Sequence, residues 1–281
     1  MKPDCLGVIG LSELGGSVAW QAARAGVERI IGFSRVRKDG VAAVRARAVT
    51  EMATSVKRVA EVADLLVLAT PVSETVHTLR SLAATIATRS VYCTDLSGVK
   101  GPVVKAAVDL GLGERFAGSN VLVARGDGGF SAARPDRFTG QIVYVSPAAS
   151  DGHAALEVAD FWQRVLGLQP VTIDAERHDR ILGWTSHFPQ AVAAALAKTL
   201  ASRGPKGITY GPTALAILDS VVSDTEAWAD ALLHNRQQLT EALEGFGLEL
   251  RSLESALRRG DRQAVRSWLE AGSNWRKRAV E

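Results

Sequence analysis

The run Val8-Ile9-Gly10-Leu11-Ser12-Glu13-Leu14-Gly15-Gly16-Ser17 carries the residue types that bind a phosphate through the backbone. A short apolar stretch, Cys5 to Ile9, leads into it, and an alanine-rich amphipathic stretch, Val18 to Ala25, leaves it. Strand, glycine turn and helix in that order bring helix N–H groups and the positive end of the helix dipole to one point, where a pyrophosphate is received. Gly10, Ser12, Leu14 and Gly15 are therefore the candidate dinucleotide contacts. The pattern departs from G-x-G-x-x-G at Ser12, where a glycine would let the backbone approach the phosphates closely. Ser12 either crowds the cofactor or offers it a hydroxyl donor.

The adenosine end of such a cofactor meets the tip of the second strand, here Gly32-Phe33-Ser34-Arg35-Val36-Arg37-Lys38. An acid at that tip binds ribose hydroxyls and selects NAD, whereas basic residues accept a 2′-phosphate. Ser34, Arg35 and Arg37 therefore predict NADP, with NAD the alternative. The same sheet edge receives Ala69-Thr70-Pro71 and Thr94-Asp95-Leu96-Ser97-Gly98-Val99-Lys100-Gly101. Ligands bind at the carboxyl ends of strands in doubly wound sheets. Thr70, Pro71 and Asp95 are thus assigned to the cofactor, and Lys100 to chemistry beside the nicotinamide.

Positioning these groups takes alternating strands and helices. Strands are predicted over Arg29–Phe33, Asp64–Pro71, Ser90–Asp95, Arg115–Val123, Gln141–Val145 and Pro170–Ile173. Helices are predicted over Val41–Val49, Val56–Ala63, Val76–Ala87, Pro102–Leu110 and Ala154–Leu166. The continuous apolar run within Asp64–Pro71, ending at the proline, suits a parallel strand covered on both faces. This alternation predicts an α/β doubly wound, Rossmann-type sheet over residues 1–174. Beyond that the strand signals stop. Ile181–Leu200, Thr213–Val222, Asp224–Leu250 and Arg262–Ala271 all read as helix, giving an all-helical domain over 175–281.

Composition narrows the partners. The 281 residues are 47% hydrophobic and 22% charged, with a formal charge of +3, which fits a globular chain with an anionic small-molecule ligand. Basic residues are scattered apart from Arg276-Lys277-Arg278, so nucleic-acid binding is not expected. No apolar run approaches the ~20 residues needed to span a membrane, and no signal peptide is expected at the N-terminus. Cys5 and Cys93 both fall in predicted strands and read as buried thiols, which predicts a reducing cytoplasm. His77, His153 and His234 lack metal-ligand spacing with one another, and no metal is expected. Long apolar helical faces in 175–281 predict a homodimer.

Several stretches in fixed order resemble the prephenate/arogenate dehydrogenase family over nearly the whole chain. They are the glycine turn, Thr94-Asp95 with Val99-Lys100-Gly101, the segment Phe116–Gly140, His178-Asp179-Arg180, Ser186-His187-Phe188-Pro189, and Asn235-Arg236. The resemblance implies a nucleotide-binding domain joined to a helical dimerisation domain. It also implies oxidation of a cyclohexadiene dicarboxylate, with hydride passing to a nicotinamide and loss of carbon dioxide driven by aromatisation. Arg236 then matches an arginine that binds a substrate carboxylate, and His187 a residue that hydrogen-bonds substrate. His178 and Asp179 fall at the expected hinge, where capping a helix is their expected role.

The departures carry as much information. The family's T-D-x-G-S-V-K-G has a serine beside the substrate's 4-hydroxyl; here the order is Ser97-Gly98, so that position has no hydroxyl. The catalytic histidine of G-G-H-P-M-A-G is replaced by Asn120 in Gly118-Ser119-Asn120-Val121-Leu122-Val123-Ala124. S-H-x-P-H ends in Gln190. A histidine accepts the proton that a 4-hydroxyl sheds as a carbonyl forms, and an asparagine does not; losing such a base costs about 10²–10⁴-fold. An amine at the same carbon expels hydride with its own lone pair, and an asparagine oxygen accepts its N–H. Gly98 and Asn120 together thus favour 4-amino-4-deoxyprephenate, giving 4-aminophenylpyruvate. The alternatives are a prephenate or arogenate dehydrogenase using another base, such as Asp127, and an NADP-sensing pseudoenzyme without activity.

Overall fold

The computed structural model describes residues 1–123, 128–150, 152–205, 207, 209–221 and 224–280. Its centre is a sheet of β1 (Cys5–Ile9), β2 (Arg29–Phe33), β3 (Glu51–Met52), β4 (Leu65–Leu68), β5 (Tyr92–Asp95), β6 (Phe116–Val121), β7 (Ile142–Pro147) and β8 (Gln169–Thr172). The order is β3-β2-β1-β4-β5-β6-β7-β8, and every neighbouring pair is parallel except β6 with β7. The order reverses between β1 and β4, which opens a crevice at their carboxyl ends.

Helices α1 (Glu13–Arg24), α2 (Arg37–Arg45), α3 (Val56–Val62), α4 (Val72–Arg89), α5 (Gly101–Asp109) and α6 (His153–Asp160) flank the sheet. Alternate residues of one strand feed opposite cores, as the pleat requires. Leu6, Val8, Ile30, Leu65 and Val67 pack on one face, and Ile9, Ile31, Leu66, Leu68 and Cys93 on the other. This is the doubly wound α/β sheet that the alternation predicts, followed by helices only: α7 (Ala175–Leu182), α8 (Phe188–Arg203), α9 (Pro212–Leu218), α10 (Thr225–His234), α11 (Arg236–Arg259) and α12 (Arg262–Val280).

The structure differs from the sequence reading at places with physical causes. The helix expected over Val41–Val49 ends at Arg45; Arg47 turns left-handed (φ 57°), and the chain then adds β3 to the sheet edge. The helix expected over Ala154–Leu166 widens into a π-helical turn at Phe161–Val165, which buries the adjacent rings of Phe161 and Trp162 together. The helix expected over Ile181–Leu200 contains a second π-helical turn, Gly183–His187, just before Pro189, whose missing N–H disrupts regular pairing. Asp224–Leu250 is broken at Asn235 (φ −108°) rather than continuous. Two compact units result, residues 1–235 and 236–281. The second is a hairpin of α11 and α12 turning at Gly260 (φ 67°), with Trp268 Nε1 donating to Glu249 at 3.1 Å.

Candidate active site

The glycine turn is closed too tightly for side chains. Gly10 has φ +93°, and a Cβ there would lie 2.4 Å from the Ala69 carbonyl oxygen. A Cβ on Gly15 would lie 1.9 Å from the Gly10 carbonyl oxygen. Ser12 stands at the N-cap of α1, yet its hydroxyl makes no capping bond and none to any described residue. It is therefore available as a donor at the helix N-terminus. The turn opens on a cleft of about 490 Å³ lined by Ser12, Glu13, Leu14, Val36, Lys38, Asp39, Thr70, Pro71, Ser97 and Gly98 among others. A side-chain-free cradle, an uncommitted hydroxyl and a helix dipole suit the pyrophosphate of a nicotinamide dinucleotide.

At the second strand tip the positions are less direct. Ser34 bonds within its own turn to Val36, at 3.2 Å. Arg35 is exposed and pairs with Glu74, and Arg37 is exposed. None of these lines the cleft, whereas Lys38, next in the same basic turn, does. The signal for it was the basic turn itself; its helical phase at the start of α2 needed the structure. Asp39 also lines the cleft, and its Oδ1 accepts the Phe130 N–H at 3.0 Å.

A second cavity of about 610 Å³ is lined by Asn120, Val121, Leu122, Val123, Leu182, Thr185, Ser186, His187, Pro189, Gln190, Asp219, Ser220 and Trp228. Gly98, Ala227 and Ala231 line both spaces, so the cavities adjoin at Gly98 under α10. Helix α10 is held there because Asp230 accepts the Ser73 N–H at the start of α4 at 2.9 Å and also bonds the Ser73 hydroxyl.

Beneath that junction lies a buried polar cluster. Lys100 and Asp95 are both fully buried, with Nζ 2.5 Å from Oδ2. The ammonium also donates to the Ser119 carbonyl at 2.7 Å and to Ser97 Oγ at 3.3 Å. Asp95 accepts the N–H groups of Ser97 (2.9 Å) and Ser119 (3.1 Å) and bonds the Ser97 hydroxyl. Neither Lys100 nor Asp95 is among the residues lining these two cavities, and through these bonds both hold the β5–β6 edge together. Ser97 lines the cofactor cleft rather than the second cavity, and its hydroxyl bonds inward to Asp95 and to the Val99 carbonyl (3.1 Å).

Two histidines join this arrangement. His178 Nδ1 lies 2.8 Å from Asp179 Oδ1, and its Nε2 lies 3.1 Å from Asn120 Nδ2. Burial holds the His178 pKa below the ordinary imidazole value; the hydrogen bond to Asp179 opposes that shift, and the Lys100 charge reinforces it. Asp179 also accepts the N–H groups of Lys100 (2.6 Å) and Gly101 (2.8 Å), so it caps α5, while Asp174 caps its own helix. His187 Nδ1 lies 2.9 Å from Asn235 Nδ2, which also donates to the Asp179 carbonyl at 2.8 Å. That second bond fixes the amide nitrogen, so Nδ1 is the accepting atom of His187 and its proton sits on Nε2. Asn235 and Trp228, 6.0 Å edge-on from the His187 ring, were not singled out as supports by sequence. Arg236 opens α11 in the second unit. Arg125 and Asp127 lie outside the described residues. Among those described, no acidic, cysteine and histidine group is placed to hold a metal, and no helix is long and apolar enough to cross a membrane.

Comparison with known proteins agrees with this geometry. The family "Prephenate dehydrogenase, nucleotide-binding domain" matches residues 18–168, and "Prephenate dehydrogenase, dimerization domain" matches residues 174–271. A prephenate dehydrogenase of Lactococcus lactis subsp. cremoris is 25% identical over 96% of this chain and 75% of its own. The crystal structure of prephenate dehydrogenase from Aquifex aeolicus superposes with a TM-score of 0.87 at 25% identity, covering 97% of this chain and 99% of that one. A structure of the Aquifex aeolicus enzyme with hydroxyphenyl propionate and NAD+ gives 0.84 at 25% identity, over 98% and 97% of the two chains. With both domain families matched in order across the sheet and the helices, the chain belongs to the prephenate dehydrogenase family and is a nicotinamide-dependent oxidoreductase.

Proposed function

We propose that this protein oxidatively decarboxylates 4-amino-4-deoxyprephenate to 4-aminophenylpyruvate, with NADP as the cofactor. The observation that carries the substrate is the pair Gly98 and Asn120. Gly98 sits where the two cavities meet and presents no hydroxyl, and Asn120 lines the second cavity in place of a base. The nicotinamide, when bound in the first cleft, supplies the hydride acceptor. Asn120 accepts an N–H of the substrate amine and orients its lone pair toward the reacting carbon. That lone pair drives hydride out and leaves an iminium, and the electrons released with carbon dioxide neutralise it as the ring becomes aromatic. From the neutral amine no proton has to leave in this step, so the hydride transfer requires no base. His187, protonated on Nε2, hydrogen-bonds the substrate, and the motif match gives Arg236 the part of a carboxylate-binding cation.

The NADP preference rests on Ser34, Arg35 and Arg37 at the tip, with Lys38 at the cleft wall. Replacing both Arg35 and Lys38 by alanine is expected to weaken NADP about 10-fold while changing NAD little, since each charge-assisted contact is worth ~1.5–3 kcal/mol at best and both side chains are exposed. Titration calorimetry reads this directly, and tighter binding of NAD than NADP to the unaltered protein refutes the preference. The helical domain is read as the dimer contact. Leu248, Leu250, Leu257, Leu269 and Trp275 are exposed on α11 and α12, more apolar surface than a solvated hairpin ordinarily shows. Substrate turnover is tested by NADPH formation with prephenate, arogenate and the 4-amino compound. Turnover of none of them favours a cofactor sensor.

A further inference from the structure

We infer that His178 and Asp179 are positioning residues that lock the Asn120 amide with its carbonyl oxygen turned to the substrate cavity, making the site a hydrogen-bond acceptor. What the acceptor selects rests on the amine reading above; the orientation itself does not. A carboxylate only accepts, so the 2.8 Å contact with Asp179 places the imidazole proton on Nδ1 and leaves Nε2 bare. Asp179 cannot swing away, because its two oxygens also cap α5 through the Lys100 and Gly101 N–H groups. The His178 ring is fully buried and sits edge-on to Tyr144 (5.8 Å, 90°), so it cannot turn over. At 3.1 Å from a bare nitrogen, Asn120 must present its NH₂. Its Oδ1 accepts no bond from any described residue and is left for the cavity that Asn120 lines.

The same geometry makes the orientation depend on pH. The charged and titratable groups facing His178 are Asp179 on its own helix, Lys100 at the head of α5, Asp95 on β5 and Tyr144 on β7. Burial first, then Lys100, keep the imidazole neutral below its usual range, with Asp179 and Asp95 opposing. When acid finally protonates Nε2, that nitrogen becomes a donor and the amide must turn, so NH₂ faces the cavity and meets an amine with the wrong polarity. Activity is thus present above the His178 pKa and lost below it.

Long-range ¹H–¹⁵N spectroscopy of the ligand-free protein at pH 8 is expected to show His178 as the Nδ1–H tautomer; an Nε2–H tautomer overturns the inference whatever the substrate. His178→Leu removes the acceptor and is expected to lower kcat about 10²-fold, the scale of a misplaced reacting group, with KM for the cofactor unchanged. His178→Gln offers a carbonyl oxygen near the Nε2 position and does not titrate. It is expected to recover at least a tenfold share of that loss at pH 8, and its profile lacks the acid limb of the wild type. An acid limb retained in His178→Gln overturns the inference even if His178→Leu fails to fold. Nδ1–H in a protein that turns over only prephenate leaves the positioning intact and removes the amine reading alone.

Discussion

Asn120→His is expected to raise kcat/KM for prephenate by about 10²-fold or more, the contribution of one positioned general base. Asn120 Nδ2 already lies 3.1 Å from His178 Nε2. An imidazole at residue 120 would donate one N–H to that nitrogen and turn its other nitrogen into the cavity, where the 4-hydroxyl proton must go. The variant should favour prephenate over the amine, because the oxygen that oriented the amine is gone. Adding Gly98→Ser, which restores a hydroxyl where the two cavities meet, should increase the gain. Steady-state NADPH formation from both substrates measures the effect. No gain with prephenate, in a variant that still binds cofactor, would count against the role given to Asn120.

Lys100→Met is expected to destabilise the protein by about 3–5 kcal/mol, because it strands the Asp95 carboxylate without its cation. Both partners are fully buried, and Nζ also holds the Ser119 carbonyl next to Asn120. For a chain of this size the thermal midpoint should fall by roughly 10 °C. Lys100→Met with Asp95→Asn should recover part of the loss, since the uncompensated charge then disappears, and the double-mutant cycle isolates the pair. A lysine that acted only on substrate would lower activity and leave the melting curve alone.

Much of the fold was legible because its signals are physical and local. The apolar runs at β1 and β4 and the glycine turn between strand and helix can satisfy few other structures. The two-residue strand β3 has no period to read, and the π-helical turns at Phe161–Val165 and Gly183–His187 are set by tertiary packing. In the site, Gly98 and Asn120 stood out as departures from a motif, and both line the second cavity. Lys100 and Asp95 match a motif equally well, and that the two are fully buried against each other is not legible there, since a motif records residue type and not the direction of a side chain. His178 reads as a helix cap because its partner Asn120, 58 positions away in the chain, meets it only through folding. Lys38 was hidden by helical phase, and Asn235 by the break it creates.

The chemistry turns on which group the reacting carbon carries. Its most direct test is the ratio of kcat/KM for 4-amino-4-deoxyprephenate and for prephenate, read as NADPH formation by the unaltered protein at pH 8. The amine should win by about 10²-fold or more, the scale set by a missing base. Equal or faster turnover of prephenate would contradict the role assigned to Asn120 and Gly98.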